Sequence, residues 1–137
     1  MPTKILVIDD DPATTDLISL LLNTRGFGVI AANSGEEGIK LFDANPFDII
    51  VLDLMMPGMD GWDVCRKIRG RSQIPVLILS ALDNPANVAS ALDAGADDYL
   101  VKPVASGMLI AHINNLTRRA DMNEKKGTTN NLKARQE

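Results

Sequence analysis

Short, almost unbroken apolar runs alternate along this chain with longer segments whose apolar residues recur at helical spacing. The runs are KILVI (4–8), GVIAA (28–32), DIIVL (48–52), PVLIL (75–79) and DYLV (98–101). Their length and β-branched content predict strands. Between the first two, Leu17, Ile18, Leu21 and Leu22 form one helical face, and Gly26 stops that helix as a residue at positive φ does. A second helix opens with Ser34 and Glu37, the S-x-x-E capping box, and is expected to bury Leu41 and Phe42. A third opens near Asp60 and carries Val64 and Ile68 four residues apart. A fourth has Asn84 or Asp83 as cap, Pro85 as first residue, Val88 and Leu92 on one face and Gly95 beyond its end. Leu109, Ile113 and Leu116 mark a fifth.

Five strands thus alternate with five helices. Strands apolar on both faces are covered on both sides, which predicts an α/β protein with a doubly wound parallel sheet. Ligands of such sheets collect outside the carboxyl ends of the strands. Beyond Leu116 the pattern fades. Residues 3–119 read as one domain, and the tail 120–137 as a disordered segment or linker stub, because Met122 and Leu132 build no apolar face.

Composition narrows the function. With 137 residues, 45% hydrophobic, there is room for one core and no second domain. A net charge of −4 and the lack of a Lys/Arg stripe argue against direct nucleic acid binding. The single cysteine, Cys65, cannot form an internal disulfide, and no apolar run is long enough for a signal peptide or membrane span. A soluble cytoplasmic protein is expected.

The candidate chemistry lies at strand ends. Asp9, Asp10 and Asp11 follow the first strand directly. Asp11 precedes Pro12 and serves as a helix N-cap. Asp9 and Asp10 remain, and Asp53 follows the third strand, which lies beside the first in a right-handed parallel sheet. Three carboxylates meeting in a partly dry cleft repel one another unless a cation joins them. Mg²⁺ suits best, because it accepts carboxylates, keeps several waters and takes phosphate oxygens into its octahedron. Ser80 follows the fourth strand and Lys102 the fifth. Carboxylate nucleophile, metal, hydroxyl donor and fixed positive charge together make a phosphoryl-transfer site.

Four stretches, VIDD (7–10), VLDLMMPGMDG (51–61), LSA (79–81) and GADDYLVKP (95–103), closely resemble the receiver domain of two-component response regulators. The resemblance implies a flavodoxin-like receiver fold with strand order 2-1-3-4-5. It implies that Asp53 accepts a phosphoryl group from a sensor histidine kinase or histidine phosphotransfer protein, that Asp9, Asp10, Asp53 and the carbonyl of Met55 hold Mg²⁺, and that Lys102 precedes a cis-proline bond at Pro103. It further implies that Ser80 turns toward the phosphoryl group while Tyr99 rotates, remodelling the signalling surface read by a downstream effector or an output domain. The protein is then a switch in a phosphorelay, not an enzyme in its own right, with weak self-phosphorylation and autodephosphorylation.

Departures qualify this. Asn87, Met108 and His112 stand where regulators with a winged-helix output domain are expected to carry arginine, glutamate and arginine. Those changes weigh against the symmetric dimer of that subgroup. Val104 replaces a phenylalanine. Met55 and Leu82, apolar and two residues beyond Asp53 and Ser80, predict slow loss of the phosphoryl group. Two rivals exist. A haloacid-dehalogenase-type phosphatase would use Asp9 as nucleophile and leaves Asp53 and the PGMDG turn without a role, while a pseudo-receiver would bind partners without phosphorylation.

Overall fold

The structure, a computed structural model, describes the backbone of residues 2–136 and the side chains of residues 2–123. Its elements in chain order are β1 (Lys4–Ile8), α1 (Pro12–Thr24), β2 (Gly28–Ala32), α2 (Gly35–Ala44), β3 (Ile49–Leu52), α3 (Gly61–Arg69), β4 (Val76–Ser80), α4 (Pro85–Asp93), β5 (Asp98–Val101) and α5 (Ser106–Gln136). All strand pairings are parallel, in the order β2-β1-β3-β4-β5. The doubly wound fold expected from the apolar runs is therefore the observed one. Ser80 falls inside β4 as its last residue.

Alternate residues of each strand serve opposite layers, as the two-residue period of a strand requires. Leu6, Ile8, Ile50, Leu52, Val76 and Ile78 pack with Val64 and Ile68 of α3 and Ala91 of α4, with Ile39 and Phe42 of α2 closing over them. Ile5, Val7, Ile49, Val51, Leu77 and Leu79 pack with Ile18 and Leu22 of α1 and with Leu109, Ile113 and Leu116 of α5. Burying each of these large side chains is worth about 1.5–3 kcal/mol, so the sheet is a rigid platform whose strand ends hold fixed positions.

The helix ends follow their sequence signals. Asp11 caps α1 by accepting from Ala13 N–H at 3.1 Å, Ser34 caps α2 from Glu37 N–H, Asp60 caps α3 from Asp63 N–H, and Asn84 caps α4 from Ala86 N–H. The α2 box is only half made, since the Glu37 carboxylate accepts from Asn33 N–H rather than from the cap residue. Gly26 and Gly95 have φ of 90° and 116°, the left-handed conformation that ends α1 and α4.

Two expectations need correction. Leu17, assigned to the inner face of α1, is 68% exposed, and the seam instead runs through Thr15, Ile18 and Leu22. Thr15 can enter it because its hydroxyl is hydrogen-bonded on both sides. On α4 Leu92 is exposed and the smaller Ala91 is buried, which lets that helix sit close to β5. The backbone of α5 continues to Gln136, well past Leu116. The expected tail of residues 120–137 falls mostly on side chains outside the described residues.

Candidate functional site

β1 and β3 are hydrogen-bonded neighbours, so the residues that follow them emerge together. Asp53 N–H donates to the Ile8 carbonyl at 2.9 Å, and Asp9 N–H donates to the Ala32 carbonyl at 3.1 Å. Carboxylate oxygens of Asp9, Asp10 and Asp53 all lie within 4.8 Å of one another. Asp9 and Asp53 are buried and Asp10 is exposed. The β5 end adds Lys102, whose N–H donates to the Ser80 carbonyl at 2.9 Å and whose Nζ reaches Asp9 Oδ2 at 2.6 Å and Asp53 Oδ2 at 3.6 Å. The Lys102–Pro103 peptide is cis. Ser80, fully buried, ends β4 on the same edge.

The electrostatics follow from burial. Desolvation pushes the Asp53 carboxyl above its ordinary value; the Lys102 ammonium opposes this, the Asp9 charge reinforces it, and the Met55 N–H and Ser80 hydroxyl favour the ionised form. Burial alone would lower Lys102, but its hydrogen bond to Asp9 and the charges of Asp53 and Asp9 outweigh that and leave it above the ordinary lysine value. Three carboxylates thus face one ammonium, and among the described residues no other cation reaches the cluster. The uncompensated charge and the all-oxygen donor set fit a hard divalent ion.

Two loops complete the edge. Met55 N–H donates to Asp53 Oδ1 at 3.4 Å while its side chain is 57% exposed. Leu82 links Ser80 to Tyr99: its N–H donates to Ser80 Oγ at 3.3 Å, and its carbonyl accepts from the Tyr99 hydroxyl at 2.6 Å. The Tyr99 hydroxyl is thus turned onto the loop after β4 and held there.

Every residue singled out in the sequence for chemistry lies at this edge, while His112 is elsewhere, paired with Asp98 at 2.5 Å. Sequence reasoning missed Gly61, where a Cβ would collide with the Asp53 carbonyl and Leu54 Cα, so that α3 rests directly on the loop carrying Asp53. The quoted turn PGMDG contained that signal. It also missed Asn33 and Thr15, which lie behind Asp9.

A family model described as the response regulator receiver domain matches residues 5–114, and the chain belongs to that family. Its curated relatives include the transcriptional regulatory protein AfsQ1 of Streptomyces coelicolor, 45% identical over 88% of this chain and 53% of the relative. The chain spans about half the length of the curated relatives it matches. Among solved structures, the receiver domain of the Francisella response regulator 1452 superposes with a TM-score of 0.81 at 38% identity, covering 86% of this chain and 98% of the other. The BeF3-activated N-terminal receiver domain of Klebsiella pneumoniae RstA superposes with a TM-score of 0.82 at 32% identity, covering 85% and 99%.

Proposed function

We propose that Asp53 is the phosphoryl acceptor of a phosphorelay switch, charged by a sensor histidine kinase or a histidine phosphotransfer protein. The observation that carries this reading is the convergence of Asp9, Asp10, Asp53, Ser80 and Lys102 at the ends of four strands. A carboxylate oxygen of Asp53 attacks phosphorus in line, the N–P bond of the phosphohistidine breaks, and the imidazole nitrogen leaves with the electron pair. The product is an aspartyl phosphate. Lys102, already within an ion pair's reach of Asp53, shifts toward the transferred oxygens and offsets their charge.

Asp9, Asp10, Asp53 and the Met55 carbonyl hold Mg²⁺ in this reading. When bound, the ion neutralises the cluster and acts as a Lewis acid on phosphoryl oxygens. The Ser80 hydroxyl turns to donate to the phosphoryl group, and the turn carries its Oγ away from Leu82 N–H, which pulls on the loop that Tyr99 grips. The phosphoryl group stabilises only the arrangement that offers it this hydroxyl, so its arrival shifts a population. A water that attacks phosphorus later returns Asp53 to the carboxylate and releases phosphate, a weak autophosphatase activity. The remodelled face then signals to a downstream effector or an output domain in the cytoplasm. Residues 3–119 suffice for this cycle.

The test is incubation with Mg²⁺ and acetyl phosphate, read by intact-mass spectrometry. One acid-stable, base-labile phosphoryl adduct is expected, absent in Asp53→Ala. An adduct surviving in Asp53→Ala but absent in Asp9→Ala would favour the phosphatase arrangement. No adduct at all would favour a pseudo-receiver.

A further inference from the structure

The junction of β2 and α2 holds a polar network that the phosphoryl chemistry above does not use. Asn33, half-buried, commits both protons of its side-chain amide: Nδ2 donates to the Asp9 carbonyl at 2.9 Å and to the Thr15 hydroxyl at 3.0 Å. Thr15 is buried in α1, and its own proton goes to the Pro12 carbonyl at 3.1 Å, which leaves its lone pairs facing Asn33. Asp9 is therefore gripped from both sides, its N–H by the Ala32 carbonyl and its C=O by Asn33.

The gripped carbonyl belongs to the peptide joining Asp9 to Asp10. Rotation of that peptide swings the Cα–Cβ bond of Asp10 and with it the carboxylate. Among the described residues no hydrogen bond holds the Asp10 carboxylate, whereas Asp9 has Asp11 N–H on one oxygen and Lys102 on the other. The place of Asp10 thus depends on the backbone alone. We infer that Asn33 is a positioning residue for cation binding, clamping the Asp9–Asp10 peptide between β2 and Thr15 so that Asp10 faces Asp9 and Asp53. This rests on the proposed Mg²⁺ site and adds the part of the fold that presets it. Groups behind metal ligands commonly govern affinity by about 10–100-fold.

The experiment titrates Mg²⁺ into the full chain by isothermal titration calorimetry and measures acetyl-phosphate phosphorylation as a function of Mg²⁺. For Asn33→Ala the Kd for Mg²⁺ is expected to rise about 10-fold or more, with the half-saturating Mg²⁺ concentration rising in step and the limiting rate changing far less. Thr15→Val, which deletes the acceptor while keeping the shape, is expected to weaken binding several-fold, and Thr15→Ser to restore it. Because the two side chains act as one clamp, the double variant is expected to bind no more weakly than Asn33→Ala. Melting curves in EDTA separate this from loss of fold: variants with a lower Tm but an unchanged Kd would overturn the inference. So would equal losses in Thr15→Val and Thr15→Ser. A wild-type chain that bound no Mg²⁺ and took no phosphoryl group would instead remove the proposed function itself.

Discussion

The two edges of the sheet each hold a half-buried cation among acids and carbonyls, and they differ in how completely it is matched. At the entry edge, Arg69 donates Nε to the Gly95 carbonyl at 2.9 Å, Nη1 to the Ile74 and Ser72 carbonyls at 2.6 and 3.2 Å, and Nη2 to Asp97 at 2.5 Å. Asp97 in turn accepts from Val76 N–H at 2.8 Å. Charge and hydrogen bonds close on themselves, and the planar guanidinium ties α3 to the starts of β4 and β5. At the exit edge Lys102 faces three carboxylates and cannot satisfy them. A closed network staples a fold; an edge left with excess charge of one sign is built to receive something of the other.

Removing each cation should expose that difference. Lys102→Ala is expected to lower the rate of phosphorylation by about 10²–10³-fold, the scale of one lost electrostatic contact to a developing anion, with a smaller fall in Tm than Arg69→Met. Arg69→Met should do the reverse. It strands the Gly95 and Ile74 carbonyls and the Asp97 carboxylate, costing about 2–3 kcal/mol and roughly 6–10 °C in Tm for a domain of this size. Its phosphorylation rate at 10 °C should remain near that of the wild type. Thermal melts and acetyl-phosphate kinetics on both variants check the pair, and a slow but stable Arg69→Met would collapse the distinction.

The exit edge was far more legible in the sequence than the entry edge. Asp9, Asp53, Ser80 and Lys102 each end or follow an apolar run, and a parallel sheet must bring strand ends to one side. Arg69 gave no such signal, because its partners are mostly backbone carbonyls of loops up to 26 residues away. The inner seams were legible only where size and burial agree. Leu17 and Leu92 are apolar yet exposed, while Thr15 is polar yet buried because Asn33, 18 residues on, supplies a donor. Such pairings arise from tertiary structure and leave no periodicity to read. The length of α5 was hidden for the opposite reason: beyond Leu116 the spacing forms no apolar face, and apolar spacing was the signal being read.

A smaller effect concerns how long the exit edge would keep the proposed phosphoryl group. The Met55 and Leu82 N–H groups contact Asp53 and Ser80, and both residues carry apolar side chains on the loops of this edge. Apolar groups there hold no water. Replacing both, Met55→Gln with Leu82→Asn, is expected to speed decay of the aspartyl phosphate about tenfold, equivalent to ~1.4 kcal/mol in the barrier, by loss of the mass-spectrometric adduct over time. Unchanged decay would show that these side chains do not guard the water's path.

The smallest effect tests whether excess charge at the exit edge costs stability. The unfolded chain ionises Asp53 around its ordinary value of 3.8, while burial raises the folded value. Between those two values the folded state binds more protons, so stability falls as the pH rises through the window and stays lower above it. Below 3.8 both states are protonated and the penalty is absent. In EDTA, Asp53→Asn should therefore melt above the wild type at pH 7 and should lose that advantage at pH 3. Lys102 runs the other way: its raised value contributes stability up to pH 10.5, lost as the pH climbs through the folded value, so the comparison at pH 7 leaves it charged in both proteins. Adding Mg²⁺ should reverse the ranking, because an ion that binds the folded state stabilises the chain with the intact acid cluster more. Were Asp53→Asn to gain nothing at pH 7, Lys102 would already balance the cluster, and the exit edge would be as closed as the entry edge.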